Sequence, residues 1–238
     1  MTASSSSSPA PILAGIQRAL PIVLGYVPVA FAFGVLAVQN HIPPGFAVFM
    51  SVVLFAGSGQ FVAASLWGAG AGAVTVILMV FVVNLRHLLM SAALAPHLKP
   101  LARWQKFIFG YQMTDETFAV HSSAFQQGWA LVVPTLYACN ITAHGAWVGG
   151  TVLGVIFGSL ITDVRPLGLD YALIAMFLAL LVPQCRERLH VVVALVALVL
   201  SVGLRLAGLG QWNVCIATVL AAMLGVYLQC RAEGRCRV

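Results

Sequence analysis

Residues 74–96 read VTVILMVFVVNLRHLLMSAALAP, and this stretch decides the class of fold. The run is long enough to cross a bilayer as a helix, since a crossing takes about twenty apolar residues. Three polar side chains, Asn84, Arg86 and His87, lie inside it. A charge at the centre of a membrane costs ~2.5–3.5 kcal/mol on insertion scales, so such residues indicate a functional role. The stretch predicts a transmembrane helix that carries part of a functional site.

The composition of the whole chain agrees with a membrane setting. Of its 238 residues, 61% are hydrophobic and only 8% are charged, and the mean hydropathy is +0.99. A soluble domain has about a quarter of its residues charged. We predict an all-α, polytopic integral membrane protein with about seven or eight transmembrane or re-entrant helices, some of them discontinuous.

The net charge fits a membrane protein better than a nucleic-acid-binding one. The chain has 12 Lys+Arg and 6 Asp+Glu, a formal net charge of +6. The basic residues lie mainly in loops and at the C-terminus, where they orient a chain against an anionic leaflet. We therefore expect the lipid bilayer as a partner, and no nucleic acid. The five cysteines show neither a disulfide framework nor zinc-site spacing.

The sequence divides into three parts. Residues 1–14 are expected to be a Ser-rich disordered tail, residues 15–230 a single transmembrane domain, and residues 231–238 a basic C-terminal tail. Apolar segments of that domain are predicted near 16–38, 46–67, 74–96, 107–125, 129–160, 168–183, 189–207 and 211–229.

Two features bear on helix geometry and packing. Pro28 predicts a kink or break near Leu24, because proline removes an amide donor and crowds the carbonyl four residues earlier. Gly150, Gly154 and Gly158 are spaced four residues apart and form a row suited to close helix packing.

The polar triplet has two interpretations. Asn84 and His87 are three residues apart and share a helix face, whereas Arg86 points to another side of the helix. In the first interpretation, Asn84 and His87 lie on a substrate or proton path and Arg86 pairs with an acid elsewhere. In the second, Arg86 extends toward the membrane interface and His87 makes an interhelical hydrogen bond. We favour the first, because three polar residues so close together exceed what packing requires.

A second polar insertion, Thr114-Asp115-Glu116, interrupts the apolar run FIFGYQMTDETFAV. A carboxyl group removed from water has a raised pKa and exchanges protons nearer neutral pH, which suits proton coupling or binding of an ammonium group. Alternatively, Thr114 is a helix N-cap and the two acids interact favourably with the helix dipole. The functional role of the acids and the capping role of Thr114 are compatible if a short helix starts inside the membrane. Whether residues 107–125 span the membrane or re-enter stays open.

Residues Gly57, Ser58, Gly59 and Gln60 place two glycines and two polar groups at membrane depth in the second segment. They are expected either to interrupt the helix, offering amides to a carboxylate, or to allow close glycine packing with one core hydrogen bond. Asn140 and His144 share a face four residues apart, and interhelical packing is the favoured role for both.

The sequence has no phosphate-binding loop, no dinucleotide-binding glycines and no metal motif. It also lacks a nucleophile paired with a base. We therefore predict no catalytic residue, no cofactor and no metal, and no enzyme activity.

Four runs resemble the AzlC family, the large subunits of two-component branched-chain amino acid exporters. They are PIVLGYVPVAFAFGVLA (21–37), FAGSGQF (55–61), NLRHLLMSAALAPH (84–97) and TDETFAV (114–120). The resemblance implies export of amino acids such as valine, leucine, isoleucine or methionine, coupled to the proton gradient. It also implies a small AzlD-type membrane subunit as partner and a multi-pass location in the bacterial plasma (inner) membrane.

The residues fit that class. A zwitterion needs donors for its carboxylate, offered by Arg86 or the amides of residues 57–60, and an acceptor for its ammonium, offered by Asp115 or Glu116. Two alternatives remain: an uncoupled channel or carrier for another small solute, and a membrane assembly protein without transport.

Overall fold

In the computed structural model, residues 10–158, 188–208 and 212–232 are described, with single positions at 160, 178, 182 and 185. Every regular element within these residues is helical, which confirms the all-α prediction. The helices are α1 (Pro11–Gln39), α2 (Pro44–Val53), α3 (Gly57–Gly68), α4 (Ala73–Leu94), α5 (Arg103–Tyr111), α6 (Asp115–Gln126), α7 (Val133–Gly158), α8 (Arg188–Leu206) and α9 (Trp212–Ala232). A short 3₁₀ helix, Ala95–Leu98, extends α4.

Several helices are suited to a bilayer by length and composition. Four qualify as candidate spans in the described part of the chain: Pro11–Gln39, Ala73–Leu98, Val133–Gly158 and Arg188–Leu206. Their number and apolar character confirm a multi-pass membrane protein. The expected segment near 168–183 lies outside the described residues.

Helices α1 and α7 pack closely because glycines line their contact. A Cβ on Gly150 would lie 2.8 Å from the Cβ of Ala30, and one on Gly154 would collide with the carbonyl oxygen of Phe31. The predicted row of small residues is therefore confirmed. Helix α1 is not broken at Pro28: it runs unbroken from Pro11 to Gln39. Proline removes only one amide donor, and packing against α7 supports the turns on either side.

Two apolar segments are each divided into two short helices. The second segment is interrupted at residues 54–56, where Phe55 has a φ of 37°. The fourth segment is interrupted at residues 112–114, so residues 107–125 form parts of two short helices instead of one span. Neither α5, with 9 residues, nor α6, with 12, is long enough to cross a bilayer.

The ends of the helical region differ from the expected boundaries. Helix α1 begins at Pro11, so residues 11–14 are its first turn and not part of a disordered tail. Proline at the first helical position is favourable there, since its missing amide would have no partner. Helix α9 ends at Ala232, just inside the predicted C-terminal tail.

The contacts divide the chain into two units where the sequence suggested one domain. Helices α1 to α7 belong to the first unit, and α8 and α9 pack together in the second. In the second unit, Asn213 Nδ2 donates to the carbonyl oxygen of Ser201 at 3.0 Å.

Candidate functional site

Arg86, in the middle of α4, connects the starts of the two interrupted helices. Its Nη1 lies 2.9 Å from Asp115 Oδ2, in an ion pair. Its Nη2 donates a hydrogen bond to the hydroxyl of Ser58. Ser58 is the second residue of α3 and Asp115 is the first residue of α6. One guanidinium group therefore joins two helix N-termini, and it is paired with an acid, as the first interpretation of the triplet expected.

The start of α3 offers backbone amides that form no hydrogen bond within the part of the chain that the structure describes. The residue before the helix, Ala56, provides no side-chain cap. The amides of Gly57, Ser58 and Gly59 belong to the first turn, where no intrahelical carbonyl is available to them. These donors and the positive end of the helix dipole favour an anion at this position.

Asn84 also approaches α3. A Cβ on Gly59 would lie 3.0 Å from Asn84 Nδ2, and Asn84 Oδ1 is buried without a hydrogen-bond partner in the described structure. Asn84 and Arg86 thus both face α3, although the sequence placed them on different sides of the helix. The length of the arginine side chain explains the difference, since its guanidinium group reaches around the helix axis. His87 is half-buried and forms no hydrogen bond with another described residue.

The start of α6 is capped and acidic. The side chain of Thr114 accepts a hydrogen bond from the amide of Thr117, and Asp115 and Glu116 occupy the first turn. The N-cap interpretation is confirmed, and this helix start lies in the interior of the unit because Thr114 is only 5% exposed. The hydroxyl of Tyr26, on α1, lies 2.6 Å from both Glu116 Oε2 and Thr114 Oγ1.

Burial changes the acidity of both carboxyl groups on this short helix. It raises the pKa of Asp115, and the nearby Arg86 charge lowers it in part. Burial also raises the pKa of Glu116, with the Tyr26 hydrogen bond acting in the opposite direction. Both groups therefore hold a proton at higher pH than a free carboxyl group, as a proton-exchanging site requires.

Gln60 is used for packing between helices. Its Nε2 donates to the Ser51 hydroxyl at 2.8 Å, and its Oε1 accepts from Trp147 Nε1 at 2.9 Å. The Ser51 hydroxyl is also 2.7 Å from that of Thr151. Gln60 thus ties α2, α3 and α7 together, while Ser58, its neighbour in the motif, faces Arg86.

Sequence reasoning missed Tyr26 and Trp147. The two rings meet edge to face with centroids 5.2 Å apart. Trp147 also lies against Gly57, where a Cβ would be 2.7 Å from the ring. Trp147 therefore contacts the start of α3 and the tyrosine that contacts Glu116. The position of Tyr26 in Gly-Tyr-Val-Pro, inside a conspicuous segment, was the available signal; no pattern marked Trp147.

Asn140 and His144 make interhelical hydrogen bonds, the role expected for them. Asn140 Oδ1 lies 2.7 Å from His121 Nε2, and His144 Nε2 lies 3.1 Å from the carbonyl oxygen of Ser51. The His144 ring also stacks on Phe55, at the interruption between α2 and α3.

Helices α3 and α6 begin at interruptions of apolar segments, and their starts meet at Arg86. Interrupted helices of this kind are typical of membrane transport proteins. The comparison of sequences agrees with this class. Residues 21–161 match the family model of the AzlC protein, so the chain belongs to the AzlC family. It is a membrane transport protein.

Similar proteins come from bacteria and an archaeon. The chain is 32% identical over 212 residues to an uncharacterized membrane protein of Archaeoglobus fulgidus, covering 88% of this chain and 92% of the relative. It is 29% identical to the inner membrane protein YgaZ of Escherichia coli, covering 93% and 92%. It is also 29% identical to the branched-chain amino acid transport protein AzlC of Bacillus subtilis, covering 87% and 80%. No solved structure matches the chain.

Proposed function

We propose that the protein is a secondary active exporter of branched-chain or other small apolar amino acids, driven by protons, in a bacterial inner membrane. The observation that carries the proposal is the position of Arg86 between the starts of α3 and α6. The similarity to the Bacillus subtilis branched-chain amino acid transport protein supports the choice of substrate. A small AzlD-type membrane subunit is the proposed partner.

The two helix starts suit the two ends of a zwitterion. The substrate carboxylate would bind Arg86 and the free amides of residues 57–59, which are donors with a favourable dipole. The substrate ammonium would bind Asp115, which lies next to the same guanidinium. Ser58 keeps Arg86 in place, and Gln60 keeps α3 in place.

Glu116 is the proposed proton-coupling group. It is buried, it is adjacent to Asp115, and its carboxylate is hydrogen-bonded by Tyr26 instead of a cation. Protonation would remove a negative charge from the start of α6 and so weaken the hold on the substrate ammonium. Proton uptake and amino-acid release would then be linked at neighbouring residues.

Efflux of valine and methionine from loaded cells, with and without the small subunit, tests this proposal. We expect efflux that needs both subunits, rises with an imposed proton gradient and is lost in Arg86→Lys, Asp115→Asn and Glu116→Gln. Arg103→Lys, on the exposed start of α5, is the matched control.

The results also separate the two alternatives. Efflux that persists without a proton gradient and in Asp115→Asn would indicate an uncoupled channel or carrier. Unchanged amino-acid tolerance after deletion of the chain would indicate an assembly protein without transport.

A further inference from the structure

A mostly apolar pocket with one cation lies in the first unit, and Arg86 does not line it. It is a cavity of 220 Å³ between α1, the end of α6 and the start of α7. A single water molecule needs only roughly 10–15 Å³ of such space, so the cavity is large enough for a larger ligand. The residues that give this peripheral pocket its character are Arg18, His121, Phe125, Trp129, Leu131 and Thr135.

On α1 and α7, the residues that line the peripheral pocket lie two or more helix turns from those that contact the starts of α6 and α3. Arg18 is eight residues from Tyr26 on α1, about 12 Å along the axis. Thr135 is twelve residues from Trp147 on α7, about 18 Å. His121 is five residues from Glu116 on α6, about 8 Å, and therefore lies between the two places.

The pocket contains one cation and no acid. The guanidinium carbon of Arg18 lies 4.1 Å from the centroid of the Trp129 ring, which orients it by a cation–π contact. Arg18 forms no ion pair with a described residue, and its donors are therefore available to an oxyanion. Trp129, Phe125 and Leu131 supply apolar wall beside this charge.

The surrounding polar groups are held in fixed positions. His121 is 4% exposed, and its Nε2 is bound to Asn140, so the ring is fixed at the floor of the pocket. Thr135 Oγ1 donates to the carbonyl oxygen of Pro11 at 2.7 Å and ties the start of α1 to α7. Two polar groups of the pocket wall are therefore fixed before a ligand binds, which reduces the entropy that binding costs.

We propose that Arg18 and the walls of this peripheral pocket form a second binding site for an oxyanion carried on an apolar body. Two sources share this chemistry: the carboxylate of an apolar amino acid, and the phosphate of a lipid. In the first case the pocket is a staging site, where substrate binds on its way to Arg86 and the starts of α3 and α6. This source rests on the proposed function, whereas the lipid source does not.

The test uses the full chain with its small subunit in bilayers of defined lipid composition. In the first arm, tritiated leucine is titrated in nanodiscs of phosphatidylcholine alone, and the number of binding components is counted. In the second, native mass spectrometry counts the phosphatidylglycerol molecules retained after extraction from mixed phosphatidylcholine and phosphatidylglycerol vesicles. The variants are Arg18→Gln, Ala124→Trp, which fills the pocket from its wall without removing charge, and Arg103→Gln as the matched control.

We expect Arg18→Gln to weaken one binding event by roughly ten-fold or more, since a charge-assisted contact is lost, while Arg103→Gln changes nothing. Loss of one leucine component identifies the amino acid as the source, and loss of retained phosphatidylglycerol identifies the lipid. Ala124→Trp should reproduce the loss, and it decides the question if Arg18→Gln does not fold.

The proposal is overturned if Arg18→Gln and Ala124→Trp both behave like Arg103→Gln in the two arms. Failure of the proposed function looks different. In that case the wild type shows no leucine binding at all, whereas retention of phosphatidylglycerol still depends on Arg18. If leucine binding is lost in Arg86→Gln but unaffected in Arg18→Gln, the transport function stands without a staging site.

Discussion

The starts of α3 and α6 are built alike in the backbone and differently in their side chains. Each follows a three-residue interruption, 54–56 or 112–114, and each contacts the guanidinium of Arg86. The start of α3 has no side-chain cap and no acid in its first turn. The start of α6 has a threonine cap and two acids.

Because of this difference, the start of α3 favours an anion and the start of α6 favours a cation. Every helix start carries a partial positive charge, so two bare starts facing Arg86 would both attract anions. The acids at Asp115 and Glu116 reverse that preference at α6, while α3 keeps it. A zwitterion placed between them has a suitable environment at each end. The asymmetry therefore comes from three side chains, Thr114, Asp115 and Glu116, on a common backbone arrangement.

Removing the guanidinium that joins the two starts is expected to have the largest effect. Arg86→Gln leaves Asp115 partly buried without its counter-charge, a change that typically costs several kcal/mol. We expect efflux of valine to fall to the background rate and the amount of folded protein to decrease.

The double variant Arg86→Gln/Asp115→Asn separates these two effects. It removes the unpaired charge and should restore the folded amount, measured by size-exclusion chromatography, but not the efflux. Recovery of efflux in the double variant would show that the ion pair supports folding alone.

The second-largest effect is expected on the pH dependence of efflux, which we assign to Glu116 on α6. Because burial raises the pKa of Glu116, the group stays protonated to a higher pH than a free carboxyl, and proton-driven efflux should decline as pH rises through that range. Glu116→Gln should remove the proton-driven part of efflux and leave only a residual rate that does not change with pH.

The variant Tyr26→Phe tests the direction in which the pH profile of efflux moves when the pKa of Glu116 changes. The Tyr26 hydrogen bond lowers the pKa of Glu116, so its loss should raise that pKa further and move the profile to higher pH. A profile unchanged in both variants would assign proton coupling to another group. Tyr227→Phe, in the second unit, is the matched control.

Contact between α3 and Trp147 should matter less than either charge. In Gly57→Ala, the new methyl group would lie 2.7 Å from the indole ring, so the ring or the helix start must move. We expect the KM of efflux to rise several-fold with little loss of protein. Gly25→Ala is the control, because apart from the adjacent backbone of its own helix no described atom lies within 4 Å of its added carbon. Equal effects of the two would mean that Trp147 does not position α3.

The sequence indicated several of the features that the two helix starts share or differ in. The polar residues at 57–60 and 114–116 marked where the second and fourth apolar segments are interrupted, but the sequence left open whether the helices break there. The capping role of Thr114 was one of two interpretations of Thr114-Asp115-Glu116, and the structure shows the cap. The glycine row on α7 predicted its packing, because four-residue spacing places small residues on one face.

The rest depended on three-dimensional contacts that no local pattern encodes. Helix geometry placed Asn84 and Arg86 on different sides, yet the long arginine side chain reaches the same helix start as Asn84. The sequence left residues 57–60 open between carboxylate binding and a core hydrogen bond, and the Gln60 amide makes the core bonds, to Ser51 and Trp147. Such pairings join residues far apart in the chain, and a single sequence carries no signal for them.

The smallest expected effect comes from exchanging the caps of the two starts. Thr114→Ala removes the cap of α6 and should lower stability by about 1 kcal/mol, measured by thermal unfolding in detergent, with efflux largely kept. Ala56→Ser introduces a cap at α3, where the added hydroxyl can accept from an amide of the first turn. We expect unchanged or slightly higher stability but a higher KM, because the amides proposed to bind the substrate carboxylate are then occupied. If Ala56→Ser leaves the KM as in the wild type, the free amides of α3 do not bind substrate, and recognition of the carboxylate rests on Arg86 alone.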